Sequence, residues 1–132
     1  MRIVPPTKIE IKPSEGKGLG VFATEDIALH EIIEEVAVLG IPSSQDDKQV
    51  LYDYRFLFPT GKHTSKENVI GLGYASFYNH SDKPNTLWVN DPRQRGFIFY
   101  AVKNIKAGEE ILIYYGNEDY WANRSHVKKI WT

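Results

Sequence analysis

Apolar residues in this chain come in short runs, most of them five to nine positions long by the turn residues that cut them. Thr7-Lys8-Ile9-Glu10-Ile11-Lys12 alternates polar and apolar, the pattern of a half-buried strand. Pro13-Ser14-Glu15-Gly16 turns the chain, and Leu19 to Ala23 forms a second short strand bracketed by glycines. Glu31 to Leu39 is rich in β-branched residues and reads as a strand, with a helix as the alternative, and Gly40-Ile41-Pro42 ends it. Ser43 to Gln49 is polar and suits one or two helical turns capped by Ser43 or Ser44. Leu51 to Phe58 returns to an alternating, aromatic pattern. Gly61 to Asn68 is expected as a polar loop, Val69 to Gly73 as a short apolar segment and Tyr74 to Tyr78 as a single helical turn. Thr86 to Asn90 and Gly96 to Val102 predict a hairpin across Asp91-Pro92-Arg93-Gln94-Arg95. Ile105 to Glu110 is a tight connection, Ile111 to Tyr115 a buried strand, and a polar-aromatic tail follows Gly116. Many short strands with almost no long amphipathic helix predict a mostly β fold.

A length of 132 residues suits one domain with a single modest core. The net charge of -1 provides no global attraction to nucleic acid or anionic lipid. With no cysteine, disulfides, thiolate zinc sites, iron–sulfur clusters and a cysteine nucleophile are excluded. Met1 to Pro6 is too short and proline-rich for a secretory leader, and no run approaches the roughly 18 apolar residues of a membrane span. A soluble, intracellular protein is expected, so the sequons at Asn79-His80-Ser81 and Asn123-Arg124-Ser125 are accidents of composition.

Several candidate chemistries fail on spacing. Glu15-Gly16-Lys17-Gly18-Leu19-Gly20 lacks the spacer and the Lys-Ser/Thr ending of a phosphate loop, and a strand-like Val21-Phe22-Ala23-Thr24 follows where a dinucleotide site needs a helix. Two readings remain: a plain turn, or a loop that lets a small ligand approach the backbone. His80-Ser81-Asp82 are adjacent and cannot form a hydrolytic relay. His30, His63, His80 and His126 never stand four apart, so no histidine metal site is expected. Glu109-Glu110 reads as a solvated acidic pair in a turn, and Arg124, His126, Lys128 and Lys129 as a basic surface cluster. In Tyr114-Tyr115-Gly116 one phenol of the alternating pair faces inward and needs a partner for its hydroxyl.

Taken in order, Gly18-Leu19-Gly20-Val21-Phe22-Ala23, then Asn79-His80-Ser81 with Pro84-Asn85, then Ala101 to Ile111 leading into Tyr115-Gly116, the chain resembles the SET domain of protein-lysine methyltransferases. The likeness runs from about Ile9 to Trp121. It implies a β-clip-like fold of several small sheets with a C-terminal pseudoknot, residues 1–132 forming one minimal, stand-alone domain whose tail, 117–132, closes the cofactor site. It implies S-adenosyl-L-methionine as methyl donor and a lysine-bearing protein or peptide, a histone or other basic tail, as acceptor. Nucleic acid and membrane are not expected as direct partners, and the chain is a monomer or homodimer. Tyr115 takes the place of the catalytic tyrosine. Lys17, Gly18, Leu19, Gly20, Tyr78, Asn79, His80, Tyr115 and Trp121 are the implied cofactor contacts, those of Asn79 and His80 largely through backbone groups, with Asn85 bracing the knot. Tyr54, Trp88 and Ile113 are the implied substrate contacts; Tyr52, Phe56 and Tyr78 are further candidates for aromatic channel walls, while Phe97 and Phe99 suit packing.

The chain departs from the family pattern in two places. Ile113 stands where many relatives carry an aromatic residue that limits how many methyl groups fit; it either leaves room for a higher methylation state or has its space refilled by Trp88. Tyr114 replaces a common acidic residue. Glu31, Glu34, Glu35, Asp46, Asp47 and Asp53 could form an acidic groove for a basic tail. The alternative to an enzyme is a catalytically weak SET-like module that binds a peptide or cofactor without turnover.

Overall fold

The computed structural model describes residues 3–41, 55–59 and 66–115. Strand β1 (Ile9–Ser14) runs antiparallel to β2 (Gly18–Ala23), with Ile9 opposite Ala23 and Ser14 opposite Gly18. The three-residue connection closes with the Lys17 amide donating to the Ser14 carbonyl at 3.0 Å; Gly16 within it and Gly18 just after it both have φ +75°, a left-handed conformation that suits glycine.

The ambiguous Glu31–Leu39 segment is a strand, β3 (Ile32–Gly40). It is paired antiparallel on both sides, with β5 (Lys66–Gly71) and β8 (Gly96–Ala101), and that ladder outweighs any helical tendency. A bulge between Ile32 and Glu34 shifts the register, so the consecutive residues Ile33 and Glu34 are both buried. The alternating aromatic segment yields β4 (Arg55–Pro59), which pairs with β5. Lys66-Glu67-Asn68, expected in a loop, instead belong to β5 and lie opposite Pro59, Phe58 and Leu57. A partner strand supplies main-chain hydrogen bonds whatever the side chains, which overrides a polar sequence. The expected helical turn is a single 3₁₀ turn, Ala75–Phe77. It leads into the two-residue strand β6 (Asn79–His80), and the expected hairpin is β7 (Thr86–Asn90) with β8. The last described strand is β9 (Glu110–Ile113).

Among the described residues these strands form two sheets, ordered β1-β2-β9-β6 and β4-β5-β3-β8-β7. Val21, Phe97, Phe99, Ile111 and Tyr78 are wholly buried in the core they share, which places Phe97 and Phe99 in packing as expected. Phe56 and Trp88 meet Phe97 at ring-centroid distances of 5.2 and 4.8 Å, and meet each other edge to face at 5.2 Å.

The decisive feature for the site is how β9 is held. It lies antiparallel to β2 and parallel to β6, with Asn79 opposite Leu112 and His80 opposite Ile113. Beyond β6 the ladder is continued by a side chain: Asn85 donates Nδ2 to the Glu110 carbonyl at 2.8 Å and accepts the Leu112 amide on Oδ1 at 2.9 Å. One asparagine thus satisfies main-chain groups of β9 on both sides of Ile111, as a neighbouring strand would. Among the described residues no helix is long and apolar enough to cross a membrane.

Candidate active site

The glycine bend, the Asn79-His80 strand and the Tyr114-Tyr115 segment after β9 converge around β9. Asn79, buried to 6 % exposure, donates Nδ2 to the Leu19 carbonyl at 3.1 Å and to Glu110 Oε2 at 2.7 Å. Both partners are acceptors, so they fix which way the amide faces and put Oδ1 on the opposite edge of its plane. Ser14 completes the cluster, donating Oγ to Glu110 Oε1 at 2.9 Å. Gly20 is required by the same packing: a Cβ there would collide with Glu110 Oε2 and lie 2.8 Å from Asn79 Nδ2 and 3.1 Å from the Ser14 Cβ. Gly18 serves a different end. Its φ of +75° bends the loop, and the space where a Cβ would stand is open.

The expectation that Glu110 is a solvated turn residue is therefore incorrect. Alternation along Glu110-Ile111-Leu112-Ile113 buries Ile111 and Ile113, but the partly buried carboxylate of Glu110 finds two donors that lie 96 and 31 residues away in sequence. No local signal could have shown this.

His80 is held on both ring nitrogens. The Tyr115 amide donates to Nδ1 at 2.9 Å, and Nε2 faces Asp82 Oδ1 at 3.0 Å. Because an amide N–H can only donate, Nδ1 is unprotonated and the proton of the neutral ring sits on Nε2. Burial pushes the His80 pKa below its ordinary value, with Lys17 in the same direction and Asp82 opposing. Tyr114 and Tyr115 both pack near this ring, at 5.1 and 5.4 Å between centroids. Tyr115 is the inward member of the pair, packed against the core, whereas Tyr114 is 42 % exposed.

The partner of the Tyr115 hydroxyl is the main-chain carbonyl of Tyr78, to which it donates. Tyr78 itself is fully buried, stacked on Phe99 at 4.6 Å, and donates its own hydroxyl to Glu34 Oε1 at 2.7 Å. Glu34 Oε2 accepts the Tyr74 amide at 2.9 Å. Burial pushes the Glu34 carboxyl above the usual carboxylate range despite these two donors. Burial also raises the Tyr78 phenol, with the Glu34 charge adding to it. The Tyr78 side chain is thus engaged inside the core, and its carbonyl holds the Tyr115 hydroxyl.

The expected acidic groove is not assembled by β3. Glu34 is buried inside the core, Glu31 pairs with Lys8 at 2.9 Å and Glu35 with Arg93 at 2.8 Å, the same guanidinium that grips buried Asp91. Asp46, Asp47, Asp53, Tyr52 and Tyr54 lie outside the described residues, as do Trp121, the remainder of the 117–132 tail and its basic cluster. Trp88 lies in the Phe56–Phe97 cluster, and Ile113 is 1 % exposed and stands opposite His80 in the β6–β9 pair.

Comparison with known proteins matches residues 18–116 to the SET domain. A histone-lysine N-methyltransferase of Schizosaccharomyces pombe, H3 lysine-37 specific, is 34 % identical over 113 residues, covering 83 % of this chain and 74 % of that protein. A Yarrowia lipolytica histone-lysine N-methyltransferase, H3 lysine-36 specific, is 31 % identical over 125 residues, 86 % of this chain but 16 % of its own length. In structure the chain is similar to a Plasmodium falciparum protein provisionally described as a histone methyltransferase, with a TM-score of 0.68 and 36 % identity over 85 % of this chain and 96 % of that one.

Proposed function

The chain belongs to the SET-domain family, and from that premise we propose that it transfers a methyl group from S-adenosyl-L-methionine to the side-chain amine of a protein lysine, with a histone tail as the substrate class its relatives favour. The observation that carries the reading is the convergence of the Gly18–Gly20 bend, Asn79-His80 and Tyr115 around one strand, β9. The glycine bend lies some 60 residues from Asn79 and 96 from Tyr115, so only the tertiary fold brings these groups to one place.

The donor set fits the cofactor. Gly18 leaves open space beside the backbone, the orientation of the Asn79 amide presents a carbonyl oxygen, and main-chain groups of Tyr78, Asn79 and His80 follow in sequence. Lys17, Gly18, Leu19 and Gly20 would hold the methionine and ribose portions and Asn79-His80 the adenine and amino-acid groups, with Tyr115 beside them and Trp121 closing the pocket. When bound, the cofactor supplies an electrophilic methyl group on a sulfonium sulfur.

The chain's own contribution is alignment, exclusion of water and electrostatics. The Tyr115 hydroxyl donates a hydrogen bond to the Tyr78 carbonyl, which commits its hydrogen and leaves the oxygen to act as an acceptor at the proposed chemical centre. An acceptor there orients the N–H groups of an incoming amine. That amine must be neutral to attack, although a free lysine titrates near 10.4, and apolar surroundings favour the neutral form. Trp88 and Tyr54 would line the channel, and the small aliphatic Ile113 leaves its width to them. Threading of the segment after β9 through an earlier loop belongs to the same reading and is supported by the Asn85 bonds that fasten β9. Work on a histone tail would place the protein in the nucleus.

The test is transfer of labelled methyl to recombinant histones and to other lysine-bearing proteins, with Tyr115→Phe as control. Label appearing on lysine with wild type and nearly absent with the variant supports the reading. Cofactor binding without any transfer would instead make the domain a binding module.

A further inference from the structure

We infer that Glu110 is a positioning residue for the cofactor: its carboxylate orients the Asn79 amide and thereby sets donor affinity without touching the donor. The inference rests on the methyltransferase reading, which assigns Asn79 to the cofactor.

The case begins with what Glu110 joins. Its Oε1 accepts the Ser14 hydroxyl at 2.9 Å and its Oε2 the Asn79 amide at 2.7 Å, while its main-chain carbonyl accepts Asn85 Nδ2 at 2.8 Å. It lies opposite Phe22 in the β2–β9 ladder, and Gly20, two residues earlier, has given up a Cβ to its carboxylate. One residue of β9 therefore touches β1, β2, β6 and the segment after β6.

The chemistry decides what that does to Asn79. The oxygen and nitrogen edges of an amide are nearly alike in shape, so its hydrogen-bond partners decide which way it faces. The Leu19 carbonyl alone, at 3.1 Å, is a modest restraint. A carboxylate at 2.7 Å is a stronger one, because charge-assisted hydrogen bonds are shorter and about twice as strong as neutral ones. It also penalises the flipped state, in which Asn79 Oδ1 would face an anion. Glu110 thus keeps Nδ2 on the glycine bend and Oδ1 on the edge left for a ligand donor. The same bond ties the Leu19 carbonyl to β6 through Asn79, so the two halves of the proposed cofactor site share one restraint.

Calorimetric titration with S-adenosyl-L-methionine tests this on wild type, Glu110→Ala, Asn79→Ala and the double variant. Loss of a charge-assisted bond predicts a Kd about 10- to 100-fold weaker for Glu110→Ala. On the Asn79→Ala background the same substitution adds nothing further, because the effect passes through Asn79. Turnover at saturating donor stays close to wild type, so the loss falls on KM. Glu110→Asp provides a second route if the alanine variant does not fold: it keeps the charge, is one methylene too short to reach Asn79, and is expected to bind more weakly where circular dichroism shows it folded. Wild-type affinity in a folded Glu110→Asp, or additive losses in the double variant, overturns the inference. A wild-type protein that fails to bind the donor overturns the parent reading instead.

Discussion

The Tyr115 hydroxyl donates to the main-chain carbonyl of Tyr78, and the Tyr78 hydroxyl in turn donates to the buried carboxyl of Glu34. The residue proposed for catalysis is thereby tied to a backbone position that a second phenol fixes from inside the core. Tyr115→Phe cuts that tie and removes the oxygen acceptor. Turnover is expected to fall by about 10²-fold or more, a typical loss for one polar group at a reacting centre. The dissociation constant for the methyl donor stays nearly unchanged. Steady-state kinetics together with a binding titration separate the two quantities, and lost affinity with surviving turnover would contradict the role.

Tyr78→Phe leaves the ring stacked on Phe99 but strips Glu34 of one donor, at an expected cost of about 1–3 kcal/mol. The pH dependence has a definite sign. Burial raises the folded pKa of Glu34 above its ordinary 4.5, so its stabilising contribution is complete below that value and declines as pH rises through the raised one. Urea unfolding at stepped pH should show wild type losing stability relative to Glu34→Gln on moving upward from pH 4.5. A wild type that gains stability relative to Glu34→Gln as pH rises would exclude it.

His80 behaves in the opposite sense. Its folded pKa is depressed below 6.5, so its contribution is present above that value and lost as pH falls through the depressed one. Protonation adds a hydrogen to Nδ1, which faces the Tyr115 N–H, and the bond that seats Tyr115 is broken. Turnover should therefore decline on acidification in step with the His80 ring titration followed by NMR. A ring that titrates above 6.5 would refute this.

Gly20→Ala forces a methyl group into the Glu110, Asn79 and Ser14 cluster. Overpacking of this kind costs about 1–3 kcal/mol, and donor binding should weaken with it. Gly16→Ala, where nothing lies within 4 Å of the new methyl, is the control: it bears only the strain of φ +75° and leaves the cluster intact. Thermal unfolding and donor titration of the two variants together distinguish crowding from strain.

The amino-acid sequence by itself determined the β class, most strands, the hairpin and the family. Those follow from local periodicity, from turn residues and from three motifs in a recognisable order, all of which survive as one-dimensional patterns. It also singled out Asn79, His80, Asn85 and Tyr115. Tertiary structure decided what these side chains touch. Glu34 looked like one of several acids that could line a groove for a basic tail, until a bulge in β3 turned it inward to Tyr78. Glu110 looked solvated until β9, lying between β2 and β6, carried it to Ser14 and Asn79. Lys66 to Asn68 looked like a loop until β4 lay beside them. In each case the deciding partner belongs to another segment of the fold, and hydrogen bonds between separate segments leave no trace in the spacing of residues along the chain.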